Sequence, residues 1–135
     1  LILVDTNVLL DLATGDPQWS AWSLSAIQAA AVDGPLHINA VIYAELSVRY
    51  SNIKEVDDFI EIAGVQLLDI PRKAAFLAAK AFSRYRISGG AKTGVLSDFF
   101  IGAHASALDI PILTRDVRRY RTYFPDLRLI APQLN

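Results

Sequence analysis

Short apolar runs that alternate with longer stretches of helical periodicity are the feature that most limits the fold of this chain. The runs are 1–4 (LILV), 36–39 (LHIN), 65–70 (VQLLDI), 110–113 (IPIL) and 127–130 (LRLI). Each is too short for an ordinary helix and suits a buried strand. Helical signals fill the intervals. They cover residues 7–13, a helix opened by Asp16-Pro17 and running to about Val32, 40–50, a helix capped by Asn52 to about Ala63, Pro71 to Ile87, 96–108, and a short turn of helix after Asp116. SGGAKTG at 88–94 reads as a flexible loop. Strands alternating with helices predict an α/β fold with a mainly parallel sheet and helices on both faces. Nothing in the 135 residues resembles a repeat or a linker, so a single domain over 1–135 is expected.

Composition removes several function classes. Hydrophobic residues are 53% and charged residues 20%, which excludes a disordered chain. With no cysteine, a disulfide scaffold, a thiolate metal site and a Cys nucleophile are all excluded. The longest uncharged stretch, 17–32, contains Gln18 and several serines and falls short of the roughly 20 apolar residues of a membrane span. No basic segment precedes an apolar one at the start, so a signal peptide is not expected and a cytoplasmic setting is.

The net charge of −1 conceals a division along the chain. Residues 1–69 carry ten acids and two bases, a balance of −8, and residues 70–135 carry four acids and eleven bases, a balance of +7. Arg84, Arg86 and Lys92 lie in a stretch with no acid, and Arg115, Arg118, Arg119 and Arg121 surround Asp116. Such clusters suit a polyanion, although a solvated helix face gives the same pattern.

In open parallel sheets, ligands bind beyond the carboxyl ends of the strands. Asp5 ends the first strand, in Val-Asp-Thr-Asn, and Asp116 follows the fourth, in Leu-Thr-Arg-Asp. Asp98 opens the helix leading into the fourth strand. Each has a plain structural reading: Asp5 and Asp116 as helix caps, Asp98 as a first-turn charge facing the helix dipole. Glu45 lies mid-helix among Val41, Ile42, Leu46 and Val48. An ion pair with Arg49 would be worth only about 0.3–0.5 kcal/mol, and burial of the carboxylate becomes tolerable when a cation faces it. Carboxylates gathered in one cleft repel one another, and hard divalent ions relieve that repulsion. His37, in a strand, and His104, on an alanine-rich helix, read as packing residues rather than ligands.

Taken together, VDTNVLLDL at 4–12, AELSVR at 44–49, LSDFFIGAHA at 96–105 and LTRDVRRY at 113–120 resemble the PIN-domain nucleases. The similarity extends to the VapC-type toxins of bacterial and archaeal toxin–antitoxin pairs, over about positions 3–132. The resemblance implies a three-layer sandwich and a Mg²⁺- or Mn²⁺-dependent endoribonuclease that uses one or two ions and leaves a 5′-phosphate and a 3′-hydroxyl. It implies that Asp5, Glu45, Asp98 and Asp116 are the catalytic, metal-holding acids. Thr6, Asn7 and Thr114 match polar positions that orient them. Arg84, Arg86, Lys92, Arg115 and Arg118 would then meet the RNA backbone. Where the family often has a further acid or amide after the fourth acid, this chain has Arg118 and Arg119. The resemblance also implies a homodimer and a small antitoxin lying over the acidic cleft.

Other readings fit less well. A dehalogenase-type phosphatase needs an aspartate where Asn7 stands, and GGAKTG has Ala91 where a P-loop needs glycine. A receiver domain would need paired acids after the first strand. The competitor from another class is a PIN-like module that binds RNA or protein without cleaving. Trp19 and Trp22, three residues apart, read as a packing or dimer face.

Overall fold

The computed structural model describes residues 1–92 and 95–133. Its centre is β1 (Ile2–Val4), which is buried along its whole length because neighbours pair with it on both edges and helices cover both faces. β2 (Leu36–Ile38), β3 (Val65–Leu67), β4 (Ile112–Leu113) and β5 (Leu129–Ile130) complete a five-stranded sheet in the order β3-β2-β1-β4-β5. Every pairing is parallel. Among the described residues seven helices accompany it: α1 (Thr6–Thr14), α2 (Ser20–Asp33), α3 (Ala40–Ser47), α4 (Ile53–Ala63), α5 (Arg72–Ile87), α6 (Leu96–Leu108) and α7 (Arg118–Arg121). The result is the expected α/β sandwich with helices flanking a parallel sheet.

Local chemistry sets the element ends. Gly15 and Gly64 end α1 and α4 in left-handed conformations that glycine adopts without a Cβ penalty. Asn52 caps α4 by accepting from the Glu55 amide, and Asn39 caps α3 by accepting from the Ile42 amide. Two boundaries differ from expectation. Asp16 does cap, accepting from the Gln18 and Trp19 amides, but it caps a separate turn, and α2 starts at Ser20. α3 stops at Ser47, short of residue 50, and the chain turns there. Of the loop expected at 88–94, Thr93 and Gly94 lie outside the described residues; Gly90 packs so tightly that an added Cβ would lie 2.4 Å from the Tyr85 ring.

Leu3, Val4, Ile38, Ile112 and Leu113 from the sheet meet Val8, Leu9, Ile42, Leu46 and Ile101 from the helices in one core. Each such side chain contributes about 1.5–3 kcal/mol by leaving water. α5 and α6 pack closely, and Phe82, Tyr85, Phe99 and Tyr123 form a chain of ring contacts between α5, α6 and the segment after α7. His37 and His104 are buried, as expected for packing residues. Among the described residues no helix is long and apolar enough to cross a membrane.

This topology has one consequence for chemistry. From β1 the chain builds outward through β2 to β3, then returns to the other side of β1 to build β4 and β5. The crevice beyond the carboxyl ends of β1 and β4 is therefore the switch point at which such sheets bind ligands. Val4 pairs with Leu113, so the next residues, Asp5 and Thr114, emerge side by side.

Candidate active site

Asp5 is the hub of this crevice. It is fully buried at the N-terminus of α1, where its carboxylate accepts from the Thr6 amide at 2.8 Å. Its other oxygen accepts from the Thr114 hydroxyl at 2.8 Å and the Tyr120 hydroxyl at 2.7 Å. Arg119 adds contacts at 3.2 and 3.4 Å. The capping role is thus present, yet a cap alone does not need a buried charge with so many donors. Burial pushes the Asp5 carboxyl above its ordinary 3.8, while Arg119, Tyr120, Thr114 and Thr6 pull it back. Burial and the Asp5 charge raise the Tyr120 hydroxyl well above its ordinary 10, so it stays a donor.

The polar residues beside Asp5 link it to the other acids. Thr6 donates to Glu45 at 2.7 Å, tying α1 to α3. Ser97, next to Asp98 on α6, lies 3.5 Å from the other Glu45 oxygen. Arg119 reaches from α7 to contact Asp5 and Asp98 together. Burial works against the Arg119 charge, but the Asp98 hydrogen bond and the Asp5 charge outweigh it and raise its pKa further. Asp116 joins through Thr114, whose hydroxyl accepts from the Asp116 amide at 3.0 Å. The Asp116 carboxylate accepts from the Arg118 amide in the turn before α7, whose N-cap residue is Val117 rather than Asp116. Asn7 donates to Thr114 at 3.2 Å and accepts from the Arg115 amide at 3.3 Å, which fixes the loop after β4 against α1.

Asp5, Glu45 and Asp98 thus meet through Thr6, Ser97 and Arg119, with Asp116 at the border. Their donor set is carboxylate and hydroxyl oxygen, the chemistry of a hard divalent ion. As arranged, with Arg119 between Asp5 and Asp98, no group of three or more acidic, histidine or cysteine side chains among the described residues stands close enough to hold an ion.

The basic residues divide. Arg118 lines a groove of about 160 Å³ with Tyr85, Asp98, Arg119 and Tyr123, beside the acids. Lys92 is exposed, its amide donating to the Tyr85 hydroxyl at the rim of that groove. Arg86 is exposed and lies over Phe82 on its own helix, and Arg84 lines a different hollow with Asp126. Arg115 departs from expectation: its guanidinium is held by buried Asp11 through contacts of 2.8 and 3.1 Å, and it covers the Trp19 ring. Trp19 packs edge-to-face on Trp22, and both rings are half-buried.

Sequence reasoning gave Arg119 and Tyr120 no place at the acids. Arg119 reads there as one of a basic cluster and as a departure from the family's pattern.

Solved structures share this architecture. A VapBC2 complex from Rickettsia felis bound to a promoter DNA fragment matches with a TM-score of 0.73 at 16% identity, covering 98% of each chain. VapBC-1 from nontypeable Haemophilus influenzae matches at 0.71 and 19% identity, covering 96% of each. FitAcB from Neisseria gonorrhoeae matches at 0.67 and 20% identity, again covering 96% of each. At these identities the likeness is one of fold. Among curated proteins no significant match is found. The PIN domain family model matches residues 2–125, nearly the whole chain, and with the fold and the acidic crevice it shows that the chain belongs to the PIN domain family.

Proposed function

We propose that this chain is a Mg²⁺- or Mn²⁺-dependent endoribonuclease and the toxin of a toxin–antitoxin pair. The observation that carries the reading is the meeting of Asp5, Glu45 and Asp98, from three separate elements, at the switch point of the sheet. Buried carboxylates that serve only stability are matched by cations. Here one guanidinium faces two acids, with a third close by.

In this reading Asp5 and Asp98 hold the ion, with Glu45 and Asp116 beside them. Bound there, a divalent ion supplies concentrated positive charge at a phosphodiester, which otherwise repels a nucleophile. The chain's residues prepare that event. Thr114 and Tyr120 fix the Asp5 carboxylate, Thr6 and Ser97 orient Glu45, and Asn7 sets the loop that carries Asp116. Arg118 and Lys92, at the groove beside the acids, receive the RNA backbone. Arg86 extends that contact along α5, whereas Arg84 faces the separate hollow with Asp126. Backbone contacts of this kind give affinity that falls with salt and little choice of sequence.

The partner reading draws on the toxin–antitoxin complexes that share the fold. An apolar groove of about 450 Å³ lined by Leu12, Leu24, Ile27, Phe59 and Ile62 supports a protein partner. A homodimer is part of the same proposal.

Incubation with total RNA tests the activity. Cleavage is expected with Mg²⁺ or Mn²⁺ and none with chelator, and Asp98→Asn should lose more than about 100-fold while still binding RNA. Identical RNA patterns in every lane would leave a binding module and remove the nuclease.

A further inference from the structure

Arg119 takes up the oxygens that an ion would need. Its guanidinium contacts Asp5 and Asp98 at once, and its side chain is only 18% exposed. It stands three residues after Asp116, where an acid or amide would add to the ligand set and an arginine subtracts from it. A small divalent ion sits about 2.0–2.1 Å from its oxygen ligands. The Arg119 nitrogens cannot stay against the same oxygens at the same time.

The charge count gives the direction of exchange. Asp5, Asp98 and Glu45 carry three carboxylates, and Arg119 offers one positive charge spread over a plane. A divalent ion matches the cluster better. Arg119 matches it well enough to keep buried Asp5 tolerable while the site holds no ion. Once displaced, the guanidinium has space in the groove that Asp98, Arg118 and Tyr123 already line with it. α7, only four residues long, is a short base for that swing.

We propose that Arg119 is a built-in counter-cation, which holds the Asp5–Asp98 pair in the metal-free protein and which a divalent ion must displace to take that pair. The inference rests on the reading of these acids as a metal site. It makes the metal-free fold stable and sets a threshold of ion concentration for loading. If Arg119 occupies the pair about nine-tenths of the time, the apparent ion affinity is about tenfold weaker than that of the bare acids.

The test is a Mn²⁺ titration of the whole chain without RNA, followed by the spin resonance of free Mn²⁺, beside melting curves with and without chelator. Arg119→Met should bind Mn²⁺ about tenfold more tightly than wild type, melt lower in chelator, and recover on adding Mn²⁺. Arg119→Lys, which keeps a charge but cannot bridge both acids, should fall between them and guards against misfolding of the first variant. In Arg119→Ala, low-millimolar guanidinium should weaken Mn²⁺ binding by refilling the gap; a merely structural arginine would give no such effect. If Asp98→Asn weakens Mn²⁺ binding while Arg119→Met and Arg119→Lys bind no tighter than wild type, the counter-cation fails and the metal site stands. If Asp98→Asn binds Mn²⁺ as wild type does, both fail.

Discussion

Two buried aspartates lie on or next to α1, and each meets an arginine from the segment after β4, yet the two pairings differ in kind. Among the described residues Asp11 pairs with Arg115 alone, through two contacts, and Ser23 donates to it at 2.7 Å. One carboxylate and one guanidinium meet directly and a hydroxyl fills the remainder, while Asp16 and Asp116 act on Arg115 only through their charge. Asp5 shares Arg119 with Asp98, and Glu45 stands one hydroxyl away. The first arrangement is closed: it clamps the loop after β4 to α1. The second has more negative charge than its own cation matches. Burial alone therefore does not mark a functional acid. The balance of charge around it does.

The largest effect expected is on stability, at the closed pair. Arg115→Met leaves Asp11 buried with Ser23 as its one side-chain donor among the described residues and should cost about 3 kcal/mol in a denaturant melt, with cleavage per folded molecule unchanged. If stability holds and the Michaelis constant for RNA rises instead, Arg115 belongs to the RNA surface and the contrast dissolves.

A smaller and mixed effect is expected at Thr114, which donates to Asp5 and also accepts from Asn7 on α1. Thr114→Val removes a donor to Asp5 and the acceptor of both the Asp116 amide and the Asn7 side chain. It should cost about 2 kcal/mol in stability and about 10–100-fold in cleavage. Protection of the α1 amides from exchange should fall less than in Arg115→Met, because the Asp11–Arg115 contacts themselves are kept.

The smallest effect is a pH dependence. His104, on the same helix as Asp98, accepts from Asn39 at its Nδ1. Burial, and the neighbouring His37, push it below the ordinary 6.5. The folded state therefore holds it neutral, and the unfolded state binds the proton first as pH falls. Its stabilisation is complete above about pH 6.5 and declines below that. Melting temperature should drop with acid over this range in wild type and drop less in His104→Gln. Equal slopes would show that another group carries the effect.

How much of this was legible in the sequence follows from distance along the chain. The strands were legible because each is a local apolar run; their order in the sheet, β3-β2-β1-β4-β5, departs from chain order and is set by pairing between distant segments. Their lengths were less so: β3 ends at Leu67 rather than residue 70 and β4 begins at Ile112 rather than residue 110, because pairing partners stop there. Asp5, Asp98 and Asp116 could be picked out because strand ends and helix starts are local features. The contacts of Arg119 with Asp5 and of Arg115 with Asp11 join residues 114 and 104 positions apart. No local pattern encodes which arginine folds back onto which acid. Thus two neighbouring arginines of one basic cluster, alike in the sequence, have opposite tasks in the fold.

The most direct measurement is diffraction from crystals soaked in Mn²⁺, with data collected at the manganese absorption edge. An anomalous peak should lie about 2.0–2.2 Å from oxygens of Asp5 and Asp98, with Glu45 facing it and none beside Asp11. A Mn²⁺-saturated crystal with no peak at those acids, or with its peak elsewhere, would contradict the account.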